Sequence, residues 1–132
     1  MAKRLLIAAL LALTVLGAGF LAWGLTPLKP MPEALAALES DAVVQVSAGE
    51  WTVFRPVVGE PTIGLVFYPG GRVDYRAYAP YLHALAQEGY LVALVPMPLN
   101  LAVFAPGKAG DVIDAYPQVE TWVVGGHSLG GA

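Results

Sequence analysis

The chain has 132 residues, of which 57% are hydrophobic and 13% charged, and it has no cysteine. This composition is too apolar for a disordered chain, and the length allows at most one short domain. Beyond Pro32 there are ten acidic residues but only four basic ones, a balance that excludes nucleic acid as a partner. The lack of cysteine also excludes a disulfide framework, a thiolate nucleophile and a Cys-ligated zinc site.

The chain begins with a segment that suits a membrane. Residues 5–25 carry no charge, and as a helix they would span about 31 Å, which matches the hydrocarbon core of a bilayer. Lys3 and Arg4 precede the run and Trp23 lies near its far end, so the positive-inside rule places the N-terminus in the cytoplasm. We predict a single-pass membrane protein with residues 1–25 as its anchor and the rest of the chain outside the cytoplasm.

Two other interpretations of this segment remain open. A cleaved signal peptide has the same basic start, but its apolar region usually runs only about 7–15 residues before small residues at the cleavage site. This run is longer and ends in Trp23, Leu25 and Pro27, which favours an uncleaved signal-anchor. A buried core helix fits less well because the segment is apolar on every face.

Residues 26–32 contain three prolines, which fix φ and remove amide donors. They predict a short extended stalk, followed from Pro32 by a small helix.

The soluble remainder alternates between strand and helix patterns. Two short runs separated by Gly49 and Glu50 predict a hairpin, and three continuous apolar runs predict strands buried on both faces. Helical spacing fills the intervals between those three runs, so the pattern indicates an α/β fold with a parallel sheet covered by helices. The predicted strands are 42–48, 51–57, 62–68, 90–95 and 120–125, and the predicted helices are 75–88 and 108–116.

The last predicted strand runs directly into a G-x-S-x-G motif formed by Gly126, Ser128 and Gly130. In this motif the serine sits on a sharp, strained strand-to-helix turn that lifts its hydroxyl above the sheet edge. The flanking glycines are expected because the φ values of the turn crowd any side chain there. Ser128 is therefore the predicted nucleophile, and the backbone N–H of Leu129 is the predicted oxyanion donor.

A second oxyanion donor has to come from a loop after an earlier strand. The segment Tyr68-Pro69-Gly70-Gly71-Arg72 follows the first apolar strand, and its glycines allow the backbone to approach a substrate closely. We assign the donor N–H to Gly71, with Arg72 as the next choice. An ordinary tight turn is the alternative interpretation of this loop.

The segments YPGG, MPLNLA and GGHSLGGA together resemble the family called alpha/beta hydrolase fold-5, which is related to the dienelactone hydrolases. The similarity runs from about residue 35 to the end. It implies a Ser-Asp-His serine hydrolase, for which we expect a small ester-like substrate and no cofactor. No His or carboxylate cluster of the sequence has the spacing of metal ligands, so we also expect no metal site. It also implies that residues 33–132 are the N-terminal portion of a doubly wound, mostly parallel α/β-hydrolase sheet.

Only four residues follow Ser128, although in such hydrolases the acid and the histidine come after the serine. His127, which adjoins the serine, is expected to pack rather than to act as base, and His83 lies within a predicted helix. We therefore expect an incomplete chain, truncated just after the nucleophile turn and by itself inactive and poorly stable. A non-catalytic membrane-tethered interaction domain that retains the hydrolase scaffold is the alternative function.

Overall fold

The uncharged run at the start of the chain forms one long helix. The computed structural model describes the whole chain, residues 1–132. Helix α1 spans Ala2–Gly24. The segment Ala2–Leu25 is long and apolar enough to cross a membrane, has a mean hydropathy of 2.5, and buries none of its most apolar window against the rest of the protein. A helix with apolar side chains on every face is stable when those side chains lie in lipid or in a partner.

Five strands and three shorter helices follow α1. Pro80 lies in the first turn of α3, where a residue without an amide hydrogen is tolerated, and a 3₁₀ turn precedes it at Tyr75–Tyr78. The strands are β1 Val44–Ala48, β2 Thr52–Pro56, β3 Ile63–Tyr68, β4 Leu91–Leu94 and β5 Thr121–Gly126, and the helices are α2 Pro32–Ala36, α3 Ala79–Gln87 and α4 Lys108–Ala115.

The strands form one mixed sheet in the order β1-β2-β4-β3-β5. β1 and β2 make the predicted hairpin, and β2 also runs antiparallel to β4. β4, β3 and β5 are parallel, with Val66 opposite Ala93 on one side and Val124 on the other. The loops after β3 and β5 therefore emerge at the same edge of the sheet, side by side.

Helices cover both faces of the sheet, as predicted for a doubly wound fold. Along β4 and the residue after it, Val92 and Leu94 join the cluster under α3, whereas Ala93 and Val95 join the cluster under α4. This division follows from the two-residue period of a strand, which sends successive side chains to opposite faces.

The prediction that all three apolar runs are buried on both faces is wrong for β3 and β5. Val123 and Val124 are 52% and 53% exposed, and Ile63 is 41% exposed, whereas every residue of β4 is buried. The reason is position: α3 and α4 cover the centre of the sheet around β4, while β5 has a neighbouring strand on one side only.

The proline-rich stalk is extended but it is not free. The Leu28 N–H donates to the carbonyl of Arg72 at 2.7 Å, and the Asp74 N–H donates to the carbonyl of Leu28 at 3.0 Å. Leu28 thereby forms an isolated parallel bridge with Val73, so the stalk is bound to the domain beside the loop that follows β3.

Asp74 is buried in this region and holds the 3₁₀ turn that precedes α3. Its carboxylate accepts hydrogen bonds from the Arg76 guanidinium at 2.6 and 2.9 Å and from the Arg76 backbone N–H at 3.1 Å. These contacts, chiefly the side-chain bond from Arg76, hold the pKa of Asp74 below its ordinary value of 3.8. A carboxyl of this kind contributes stability that is complete above its unfolded-state pKa and is lost as the pH falls through its folded-state pKa.

We therefore predict that Asp74→Asn lowers the free energy of unfolding by about 1 kcal/mol at pH 7, the usual worth of an acidic cap. The difference from the unchanged protein should shrink as the pH falls below about 4. Urea unfolding in detergent micelles at pH 7 and pH 3.5 measures the free energy of unfolding of both proteins. Asp114→Asn is the matched control, because Asp114 is exposed and makes no hydrogen bond or ion pair. Equal losses at both pH values would contradict the prediction.

Candidate active site

Ser128 lies on a sharp turn at the carboxyl end of β5. Its φ angle is +51°, in the left-handed region that a residue with a side chain occupies only at a cost of order 1 kcal/mol or more. Its side chain is exposed and its hydroxyl makes no hydrogen bond within residues 1–132. The local geometry is that of a strained turn which presents a serine hydroxyl above the sheet.

The two glycines of the motif are required by close backbone contact. A Cβ on Gly126 would lie against the carbonyl of Gly130 and 2.7 Å from the carbonyl oxygen of Tyr68. A Cβ on Gly130 would lie against the carbonyl oxygens of Tyr68 and Pro69. The expectation that φ values exclude side chains at the glycines is therefore wrong. The positive φ belongs to Ser128 itself, and the glycines let the turn pack on the end of β3.

The loop after β3 leaves one of its amide groups unpaired. The Gly70 N–H donates to the hydroxyl of Tyr78 at 3.0 Å, and the Arg72 N–H donates to the carbonyl of Asn100 at 2.8 Å. The Gly71 N–H has no acceptor within the chain. Of the two residues considered for the second oxyanion donor, Gly71 has the available N–H, whereas that of Arg72 is engaged.

Leu129, in the loop that follows β5, also has an unpaired amide group. Its N–H has no acceptor within the chain, while the Gly130 N–H donates to the carbonyl of His127 at 2.9 Å. The two loops are in contact, because a Cβ on Gly71 would lie 3.1 Å from Cδ2 of Leu129. Two free amide groups thus lie in adjoining loops at the edge of the sheet that bears Ser128.

Tyr78 joins these two loops, a role that no motif in the sequence indicates. Its ring packs on Phe67 at 5.0 Å between centroids. Its hydroxyl accepts the Gly70 N–H and forms a 2.9 Å hydrogen bond with Nδ1 of His127. His127 is therefore held toward Tyr78. No spacing rule connects residue 78 to residue 127. The only sequence signal for this contact is that a tyrosine follows the glycine-rich loop a few residues later in the chain.

His83, the second histidine of residues 1–132, does not lie near Ser128. His83 is buried against Phe54, and its Nε2 lies 3.5 Å from the carboxylate of Asp41. Backbone N–H groups of Val44 and Val43 lower the pKa of Asp41. His83 on α3 therefore contacts β2 and the segment before β1, and Asp41 contacts the start of β1. Neither side chain is directed to the nucleophile turn.

A cleft of about 800 Å³ borders the nucleophile turn. Its lining includes Gly126 and Leu129, on either side of Ser128 in the chain, and Ala102 and Val103; Ser128 itself does not line it. Tyr68 also lines the cleft. Its hydroxyl donates to the carbonyl of Pro106 at 2.8 Å and accepts the Ala109 N–H at 2.6 Å. This tyrosine fixes the start of α4 against the cleft.

The C-terminal end of α1 is attached to the same region. Helices end with unpaired carbonyl groups, and here side chains of the domain satisfy them. Nε of Arg72 donates to the carbonyl of Trp23 at 2.9 Å, and Nδ2 of Asn100 donates to the carbonyl of Gly24 at 2.9 Å. The Arg72 guanidinium also lies 4.7 Å from the centre of the Trp23 ring. A Cβ on Gly24 would lie 3.0 Å from Cβ of Leu99, so the close seating requires glycine.

Backbone strain is concentrated in these loops. The non-glycine residues with positive φ are Arg72, Leu99, Asn100 and Ser128. The first three hold the end of α1 and the fourth is the serine of the motif. Strained backbone of this kind clusters at functional sites.

Comparison with protein families agrees with this geometry. A model of the alpha/beta hydrolase family matches residues 64–132, just over half of the chain. The match begins within β3 and includes both loops of the site. Comparisons with curated proteins and with solved structures gave no match.

Proposed function

Because the chain belongs to the alpha/beta hydrolase family, we propose that it is a membrane-anchored serine hydrolase that cleaves esters or related acyl bonds through Ser128. The observation that carries the proposal is the strained Ser128 at the carboxyl end of β5, with the unpaired N–H groups of Gly71 and Leu129 in the adjoining loops. A serine so placed has the position of a nucleophile in this family, and the two amides have that of an oxyanion hole.

The proposed reaction has two halves. Ser128 Oγ bonds to the acyl carbon of the ester while its proton passes to a histidine base, and the carbonyl oxygen becomes an oxyanion. The N–H groups of Gly71 and Leu129 donate to that oxyanion, each being worth about 3 kcal/mol of transition-state stabilisation. The intermediate collapses to an acyl-enzyme and the alcohol leaves with the proton. Water then attacks in the same way and releases the acid and free Ser128.

We propose that the histidine base and the acid that orients it come from residues beyond Ala132. In this family both follow the nucleophile along the chain. Within residues 1–132, His127 is hydrogen-bonded to Tyr78 and His83 faces Asp41, so neither is directed to the Ser128 hydroxyl. The tests below accordingly use the protein expressed from its complete reading frame.

We also propose that α1 is retained as a single-pass anchor with its N-terminus in the cytoplasm. Lys3 and Arg4 supply the positive flank. The capping of the Trp23 and Gly24 carbonyls by domain side chains supports retention, because cleavage near residue 25 would remove both contacts. A reporter fused after Ser40 should be active only if it functions outside the cytoplasm; a mature form lacking residues 1–25 would contradict retention.

Covalent labelling tests the nucleophile directly. A fluorophosphonate probe should label the membrane-bound protein, and peptide mapping should place the adduct on Ser128. Ser47→Ala serves as a control and should be labelled normally, because Ser47 is an exposed serine on β1, at the opposite edge of the sheet from β5. Labelling at another residue would refute the assignment, and a folded protein without labelling would favour a membrane-tethered interaction domain.

Tyr78→Phe should lower kcat about tenfold while KM changes little. The variant keeps the ring but loses the hydrogen bonds to Gly70 and His127, so the two loops that carry the oxyanion donors are less well aligned. Ester hydrolysis under initial-rate conditions measures both constants. Tyr81→Phe is the control, because Tyr81 is 76% exposed and its hydroxyl has no partner. Equal kinetics for the two variants would contradict the role of Tyr78.

A further inference from the structure

The turn Ala102–Phe104 lies beside the last part of α1. The Phe104 ring makes an edge-to-face contact with the ring of Phe20, with centroids 6.3 Å apart. Phe20 lies one turn before the end of α1, within the apolar run that spans the bilayer in the proposed topology. Phe104 is therefore at the level of the membrane boundary rather than in the water beyond it.

The neighbouring side chains of this turn are exposed and apolar. Val103 is 58% exposed and Phe104 is 51% exposed. On a purely aqueous surface such neighbours would leave apolar area in contact with water, whereas at a bilayer surface the same side chains are buried in lipid. The Trp23 ring, with the Arg72 guanidinium over it, lies at the same end of α1, as is typical of residues at the interface.

The same turn forms a wall of the cleft beside Ser128. Ala102 and Val103 line it together with Leu129 and Gly130, the two residues that follow Ser128. A single three-residue turn thus contacts the end of the transmembrane helix on one side and borders the cleft on the other.

The attachment of α1 fixes this arrangement. Arg72 and Asn100 donate to carbonyls at the end of α1, and the backbone N–H of Arg72 donates to the carbonyl of Asn100. Arg72 directly follows Gly71 in the loop after β3. That loop is therefore hydrogen-bonded to the end of α1. The domain therefore has little freedom to rotate away from the membrane surface.

We infer that the mouth of the Ser128 cleft opens at the membrane surface and that the substrate is an acyl ester held in the bilayer, an amphipathic lipid ester rather than a freely soluble one. This inference rests on the proposed function, since it concerns the substrate of the same site. The occupant of the exposed turn is the lipid bilayer itself, because the turn continues the apolar surface of α1.

Site-directed labels test the location of the turn without any activity measurement. Residues 1–132 contain no cysteine, so once any cysteine beyond Ala132 has been replaced by serine, Val103→Cys and Val58→Cys each carry a single reactive thiol. Val58 is 86% exposed on the loop between β2 and β3 and is the control. In vesicles of phosphatidylcholine and phosphatidylglycerol, an environment-sensitive dye on residue 103 should be blue-shifted and quenched by lipids that carry nitroxides in their acyl chains. The dye on residue 58 should be unaffected, and the same response at both positions would overturn the inference.

Activity on two substrates tests the ester class. Phe104→Ser should lower hydrolysis of a long-chain glyceride ester embedded in vesicles about tenfold, as expected from losing the lipid burial of one phenyl ring. Hydrolysis of a soluble short-chain ester should remain within about twofold, because Phe104 does not line the cleft. Equal losses on both substrates would overturn the inference. Ser128→Ala should abolish both activities, and if it does not, the proposed function fails while the dye measurement still reports on the membrane surface.

Discussion

Ser128→Ala is expected to lower kcat/KM for ester hydrolysis by about 10⁴-fold or more, the usual consequence of removing the nucleophile of a catalytic triad. The proposed reaction forms a covalent bond to Ser128 Oγ, and alanine has no atom that can replace it. The residual rate would come from the N–H groups of Gly71 and Leu129 acting on an attack by water.

The measurement is initial-rate hydrolysis of an activated short-chain ester by the purified full-length protein in micelles. Ser47→Ala is the matched control, because Ser47 is an exposed serine on β1, at the opposite edge of the sheet from β5. A Ser128→Ala protein with near-normal turnover would show that another residue is the nucleophile. Alanine relieves little of the strain at position 128, so the variant should fold.

Gly130→Ala is expected to disrupt the nucleophile turn, at a cost of about 3 kcal/mol in the free energy of unfolding. The added methyl group would lie against the carbonyl oxygens of Tyr68 and Pro69, which are backbone atoms at the end of a sheet strand and cannot move aside like a flexible side chain. The turn would have to withdraw from β3 and carry Ser128 and Leu129 with it. A displacement of about 1 Å there should cost about 100-fold in kcat.

Gly125→Ala is the matched control for this prediction. Gly125 lies on β5, directly before the motif, but a Cβ there would meet only Cδ1 of Leu65 at 3.7 Å, an ordinary van der Waals contact. Urea unfolding and ester hydrolysis should therefore change little for Gly125→Ala and strongly for Gly130→Ala. Similar effects of the two substitutions would mean that chain flexibility, rather than the close approach of backbones, sets the need for glycine.

Local patterns in the sequence were sufficient to predict α1, the five strands, α3, α4 and the position of the candidate nucleophile. Each depends on a short-range property: the uniform apolarity of residues 5–25, the two- and three-to-four-residue periods of the later segments, and the glycines around Ser128. The membership of the alpha/beta hydrolase family, confirmed over residues 64–132, was visible in the same motifs.

Contacts between distant segments could not be predicted in this way. The partial exposure of β5 depends on which strands and helices surround it, and a continuous apolar run does not reveal that arrangement. The engagement of the Arg72 N–H, which leaves that of Gly71 as the unpaired amide, depends on a hydrogen bond from Arg72 to Asn100, and the link between the two site loops depends on Tyr78 and His127. Likewise, the seat of α1 beside the cleft depends on Arg72 and Asn100 reaching carbonyls of the helix end. Residues 28 to 76 positions apart in the chain meet in these contacts, and their meeting is set by the packing of the whole sheet, not by any period or motif within a segment.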